Sequence, residues 1–256
     1  MFLRTQLKED ARKFLHQYYW MAFTVCLIHT IITGIGTSTI TGKITVTLRE
    51  ELSYIRFSGG PLDEISSIFM LSLVGSVFAM IFSAGLVIFL VNPVTVGCNR
   101  FFMLGRTYRS DLGSLFSSFS SGRYLNIVKV MFFKGLFVWL WSFLFVIPGV
   151  IKSYQYRMVP YILAENPGMD WREVLKISRA MTQGYKWNLF LLDLSFLGWF
   201  LLGSMLCGVG LLFVKPYFQA TNAQAYEFMR QRAFSTGLCT SVQLPGFYPR
   251  TGGVQG

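Results

Sequence analysis

Between Ile65 and Val91 the chain reads ISSIFMLSLVGSVFAMIFSAGLVIFLV, without a single charged side chain. A helix crossing the hydrocarbon core of a bilayer needs about 20 apolar residues in a row. Backbone groups in that environment are satisfied only inside a helix or a closed barrel. The run therefore reads as a transmembrane helix. Gly75, Ala79 and Ser83 recur every four residues along it, a small-residue stripe that admits a neighbouring helix. Asn92-Pro93 ends or kinks it.

Upstream, Tyr18 to Ile40 is uncharged and long enough for a first span. Downstream, Val130 to Ile151 and Asn188 to Val214 are further apolar runs. The whole chain is 53% hydrophobic and 14% charged, against about a quarter charged in soluble domains. The expected fold is therefore all-α, a polytopic transmembrane helical bundle. Residues 1–232 read as one transmembrane domain. Residues 233–256, with Gly, Ser and Pro and no periodicity, read as a flexible C-terminal tail.

Loop charge decides between four spans and six. With four, the basic segment from Lys152 to Lys186 would lie outside, against the positive-inside tendency. With six, Pro148-Gly149 becomes a tight outer turn and Val150 to Ala164 returns inward. Leu206 to Gly210 turns likewise, and Leu211 to Met229 returns. The inner segments then hold Arg100, Arg106, Arg109, Arg123 and Lys129, and after them Arg172, Lys176, Arg179 and Lys186. In the one long outer loop Lys43, Arg49 and Arg56 are outnumbered by Glu50, Glu51, Asp63 and Glu64. The six-span reading puts both termini in the cytoplasm and the chain in the plasma membrane. The formal charge of +11 lies between apolar runs, which favours a membrane surface over nucleic acid.

Two segments read as interfacial amphipathic helices. In the first, Leu3, Leu7, Ala11, Phe14 and Leu15 share a face, and Arg4, Lys8 and Arg12 form a stripe. In the second, Asp170 is placed to cap, with Glu173 completing a capping-box pattern. There Trp171, Val174, Leu175, Ser178 and Met181 line one face, Arg172, Lys176 and Arg179 another, and Gly184 suits the stop. Such faces favour an anionic leaflet or a cytosolic protein partner.

One series of motifs is distinctive as a set. It begins with IPGVIKSYQYRMVPYILAENP (Ile147 to Pro167), followed by S-x-x-M-x-x-G at Ser178, Met181 and Gly184. Next come LSFLGWFLL (Leu194 to Leu202), GVGLLFVKPY (Gly208 to Tyr217) and a terminal helix reaching Tyr226. In this order they resemble the bacterial membrane protein family known as domain of unknown function 975. The resemblance runs from Leu7 to Arg230 and is strongest from Phe132 onward. It implies a bacterial plasma membrane protein, but the family has no established activity to lend.

No catalytic motif stands out. His16 and His29 are the only histidines, so no HExxH or His-rich metal site is expected. No phosphate-binding GxxxxGK[ST] and no G-x-S-x-G elbow occurs. Cys26, Cys98, Cys207 and Cys239 lack CxxC spacing and read as reduced thiols. Of the carboxylates only Asp193 lies well inside an apolar run, too few for acid–base catalysis by a pair. The chain is therefore expected to be no enzyme and to use no cofactor.

Charges inside the apolar runs carry the remaining information, because such groups are paired or functional. Lys134 and Asp193 fall at similar depth in the third and fifth spans and are expected to form a structural ion pair. Arg157 lies midway along the fourth span, with Lys152 and Tyr156 near it and Lys215 approaching from the sixth. These four residues form a candidate site for an anionic ligand, above all a lipid headgroup. The alternatives are snorkelling cations or a coupled ion path. The functional classes are a non-enzymatic binding, scaffold or accessory protein, a small transporter or lipid-handling protein, and a membrane enzyme.

Overall fold

A computed structural model describes residues 4–58, 62–106, 112–120, 122–205 and 208–247. Among them the regular structure is helical throughout: α1 (Arg4–Ser58), α2 (Leu62–Leu86), α3 (Asn92–Leu104), α4 (Ser117–Ser120), α5 (Tyr124–Leu144), α6 (Val146–Gln155), α7 (Val159–Glu165), α8 (Trp171–Thr182), α9 (Lys186–Met205) and α10 (Val209–Ser235). Three stretches, Leu73–Leu104, Tyr124–Leu144 and Lys186–Met205, are long and apolar enough to cross a membrane. The all-α expectation and the association with membrane stand on these.

The chain divides into two compact units, Ile28–Asn92 and Met1–Leu27 with Pro93–Gly256. In the smaller unit, α2 exposes Met70, Val74, Phe78 and Ile81. No described atom lies within 4 Å of a Cβ built at Gly75. At Asn92-Pro93 the helix widens instead of ending. Pro93 has no N–H to donate, and Asn92 N–H reaches back to the Val87 carbonyl in a π-type turn over Val87–Val91.

The larger unit is built around α7, every residue of which is buried. Against it pack α5, α8 and the buried run of α10 from Ala220 to Tyr226, where Tyr161 and Tyr226 stack with centroids 5.1 Å apart. Carbonyls in the last turn of α7 and in the loop after it are satisfied by side chains, as buried polar groups require. Asn126 Nδ2 donates to the Pro167 and Met169 carbonyls, and Arg100 Nη1 to that of Ala164. Cys26, Cys98 and Cys239 are buried and in no disulfide; Cys207 lies outside the described residues.

The fourth expected span is corrected. Val150 to Ala164 is not one helix. α6 ends at Gln155, Tyr156 leaves helical geometry, and α7 begins at Val159 with Pro160 in its first turn, where the missing N–H would be unpaired anyway. The first expected outer turn is displaced, and the second, expected over Leu206 to Gly210, ends by Gly208. The α5–α6 turn is the extended Phe145 (φ −154°, ψ 141°), and Pro148-Gly149 lies within α6. Gly149 is where the two arms meet: a Cβ there would stand 2.6 Å from Ser142 Cα. Likewise α10 already begins at Val209, after Gly208 (φ 79°), and Gly210 is where α10 touches Gly203 of α9. The arms are hairpins closed by glycine at their points of closest approach.

The expected flexible tail, residues 233–256, is corrected as far as residue 247; residues 248–256 lie outside the described residues. α10 runs to Ser235, and residues 236–247 dock on the body, with Leu244 fully buried. Asn166 Nδ2 donates to the Gln243 carbonyl, Arg230 Nη2 to that of Leu244, and Gln243 Nε2 to Glu173 Oε1. Glu173 thus binds the tail and does not complete a capping box. Asp170 does cap α8, accepting from Arg172 N–H at 3.1 Å.

Candidate functional site

The break between α6 and α7 gathers polar groups in the interior of the larger unit. Its free carbonyl, on Gln155, accepts from Ser178 Oγ (2.8 Å) and Thr182 Oγ1 (3.3 Å) of α8. This accounts for the S-x-x-M-x-x-G motif. Ser178 and Thr182 tie α8 to the break, Met181 is buried beside them, and Gly184 turns the chain at φ 83°, a conformation that suits glycine.

Arg157 projects from this break. Its guanidinium donates to both carboxylate oxygens of Asp193 on α9, at 2.5 and 2.6 Å, and to Asn222 Oδ1 on α10 at 2.8 Å. Tyr154 OH donates to Asp193 Oδ2 at 2.8 Å. The planar fork matches the carboxylate in a bidentate pair. The junction joins α6, α7, α9 and α10 with its charges balanced.

The expected Lys134–Asp193 pair does not form, because both Asp193 oxygens are taken by Arg157 and Tyr154. Lys134 makes no hydrogen bond or ion pair among the described residues, and the like charge of Arg157 acts on it. The expected anionic pocket is not assembled either. Arg157 is spent on Asp193 and Asn222. Lys152 lies 4.8 Å over the Trp141 ring and 6.0 Å from that of Tyr156, with Arg179 and Lys186 as the like charges acting on it. Lys215 is half-buried on α10.

A second polar cluster was not foreseen from the sequence. Glu165, at the end of α7, pairs with Arg230 of α10 (Nε to Oε1 3.0 Å), and Glu227 pairs with Arg106 (3.1 Å). Burial pushes the Glu165 carboxyl up from its ordinary value, and Arg230 opposes that rise. No spacing signal marks this cluster, since Glu165 and Arg230 stand 65 residues apart. No group of three or more potential metal ligands occurs among the described residues.

The α8 face read as interfacial is buried in protein. Val174, Leu175, Ile177, Ser178 and Met181 are covered, and Trp171 stacks on Phe133 at 4.3 Å. Arg172, Lys176 and Arg179 are exposed. The N-terminal part of α1 behaves alike. Leu7, Ala11, Phe14 and Leu15 are buried, Lys8 Nζ lies 4.6 Å over the Phe196 ring, and Arg12 Cζ 5.8 Å from that of Tyr217. Burial, with Arg12 and Arg4 as like charges, lowers the Lys8 ammonium from its ordinary value.

Fold and site together define an all-helical, membrane-associated protein whose interior charges brace the fold. Residues 144–233 match the family model described as Protein of unknown function (DUF975). These residues form a domain of unknown function 975, as the motifs from Ile147 to Tyr226 suggest, over a shorter span than Leu7 to Arg230. No curated protein and no solved structure matches the chain.

Proposed function

We propose that the chain is a non-enzymatic integral membrane protein, a binding or scaffold component that presents a helical body at the cytoplasmic face of the plasma membrane. The observation that carries this reading is the closed junction at Arg157. Its charge is neutralised by Asp193 and held by Asn222. A carrier coupled to ions needs a polar group it can bind and release in a cavity, and Arg157 has no such freedom.

The seating of the body follows from two aromatic contacts. The N-terminal part of α1 carries Arg4, Lys8, Glu9, Asp10, Arg12 and Lys13 and cannot enter hydrocarbon at acceptable cost. It packs on α9 at Phe196, so the membrane boundary crosses α9 no deeper than that residue. From Phe196 to the tip at Met205 is about 14 Å of helix. On α5 the limit is Phe133, against which α8 begins with exposed Arg172. From Phe133 to the end of α5 at Leu144 is about 17 Å. Both lengths are about half of a 30 Å hydrocarbon core. The tips are apolar and exposed: Phe143, Val146 and Ile147 on one, Leu202, Met205 and Val209 on the other.

These lengths support two hairpins that dip into one leaflet, in place of four of the six spans. The uncharged runs 18–40 and 65–91 supply the crossing helices, and both termini stay cytoplasmic. Purified protein in liposomes holding proton and potassium gradients tests the functional reading. The gradients are expected to persist as in protein-free liposomes. Protein-dependent dissipation that Asp193→Asn abolishes would establish a coupled carrier instead.

A further inference from the structure

A cleft of about 530 Å³ opens in the larger unit between the N-terminal part of α1 and the α9–α10 hairpin. Its volume falls in the range of small-molecule sites, about 300–1,000 Å³. Its walls are Tyr19, Trp199, Phe213 and Tyr217, with Arg12 and His16 at one end. Farther along α1, Phe23 meets the lining residue Phe213, with centroids 5.3 Å apart. Polarity is thus graded along the cleft: cationic at the end toward the chain's N-terminus, aromatic toward the hairpin tip. Arg12 is exposed and has no carboxylate partner among the described residues, whereas its neighbour Lys13 pairs with Asp10. The Tyr217 hydroxyl is buried and has no hydrogen-bond partner among the described residues.

We propose that this cleft binds one anionic phospholipid, its phosphate on Arg12 beside His16 and one acyl chain along Trp199 and Phe213. The inference rests on the seating above, which places Arg12 at headgroup level and the hairpin tip in the acyl region. A guanidinium without a protein carboxylate is the group that takes a phosphodiester in bidentate fashion. A zwitterionic headgroup carries its own cation to Arg12 and forfeits that gain. A water-soluble phosphate forgoes the aromatic wall.

Native mass spectrometry of the full chain, released from detergent after incubation with equal phosphatidylglycerol and phosphatidylcholine of matched chains, tests it. Wild type is expected to retain phosphatidylglycerol over phosphatidylcholine. Arg12→Gln should lower that retention about tenfold, the value of one charged hydrogen-bonded contact. Lys13→Gln removes the same charge from the same helix outside the cleft and should leave retention unchanged. Val214→Trp, which fills the cleft, should lower retention of the lipid without touching the cations. Three results would each overturn the proposal: equal retention of the two lipids, equal losses in Arg12→Gln and Lys13→Gln, or displacement of the lipid by equimolar glycerol 3-phosphate. Arg12 and Lys13 are exposed, so both variants fold. The depth of the hairpin tip is measured separately, so loss of the lipid site leaves the seating intact, and a crossing hairpin refutes the seating whatever lipid is retained.

Discussion

Removing the Asp193 carboxylate should expose how much of the fold hangs on the α6–α7 break. Asp193→Asn keeps the shape but withdraws the charge that meets Arg157 and turns one of the two oxygens shared by Arg157 and Tyr154 into an NH2 donor. Arg157 then keeps only neutral acceptors, Asn222 and one amide oxygen at position 193, and has no counter-charge. Breaking a buried pair from one side costs about 3–5 kcal/mol. The side chains are 17% and 29% exposed, which places this pair at the lower end, about 3 kcal/mol. For a domain of this size that is a fall of about 6–12 °C in apparent Tm, read by thermal unfolding in detergent. Arg157→Met should cost a similar amount, and Arg157→Met with Asp193→Leu much less than the sum, with a coupling of about 2 kcal/mol. Lys134→Met should be neutral or stabilising, because it removes a second cation facing Arg157, and it should show no coupling to Asp193. Additive losses in the Arg157–Asp193 cycle, or strong coupling of Lys134 to Asp193, would refute the assignment.

Three further outcomes follow from the packing. Gly149→Leu and Gly210→Leu should each splay a hairpin, because a Cβ at either position meets the opposite helix; disulfide trapping across the arms, lost in the variants, reads this. Gly184→Ala should cost about 1–2 kcal/mol, the strain of an alanine at φ 83°, whereas Gly135→Ala, on an open helical face, should stabilise slightly; thermal melts compare them. Ending the chain after Gly237 should lower apparent Tm by several degrees, since it strips Leu244 and the Gln243 contacts from the body, while ending it after Phe247 should not.

Much of this architecture is legible in the sequence. Apolar runs and loop charge mark every long helix, and Asp170 and Gly184 bound α8 as their chemistry requires. Arg157 and Asp193 stand out as charges in apolar surroundings, which is why they meet. The partner of Asp193 is not legible, because Val150 to Ala164 reads as a continuous helix and the break at Tyr156 rests on carbonyl acceptance by Ser178 and Thr182, a tertiary contact. Pro160 lies in the first turn of α7. Gly149 and Gly210 read as turns because glycine punctuates loops as often as it lets helices touch, and composition does not separate the two. The docking of Leu244 leaves no periodic trace. Hydropathy reports that α5 and α9 are apolar and long enough to cross a membrane, whereas the depth they reach depends on which charged helices pack beside Phe133 and Phe196.

Depth at the α9–α10 tip is the most direct test of the seating. A nitroxide on a cysteine at Val209, in an otherwise cysteine-free protein reconstituted in liposomes, reports collisions with oxygen and with a water-soluble nickel complex. A hairpin dipping about 14 Å into one leaflet places the label near the bilayer centre, with high oxygen and minimal nickel accessibility. High nickel accessibility at Val209, the mark of a tip emerging on the far side, would contradict the dipping hairpins and restore a crossing pair.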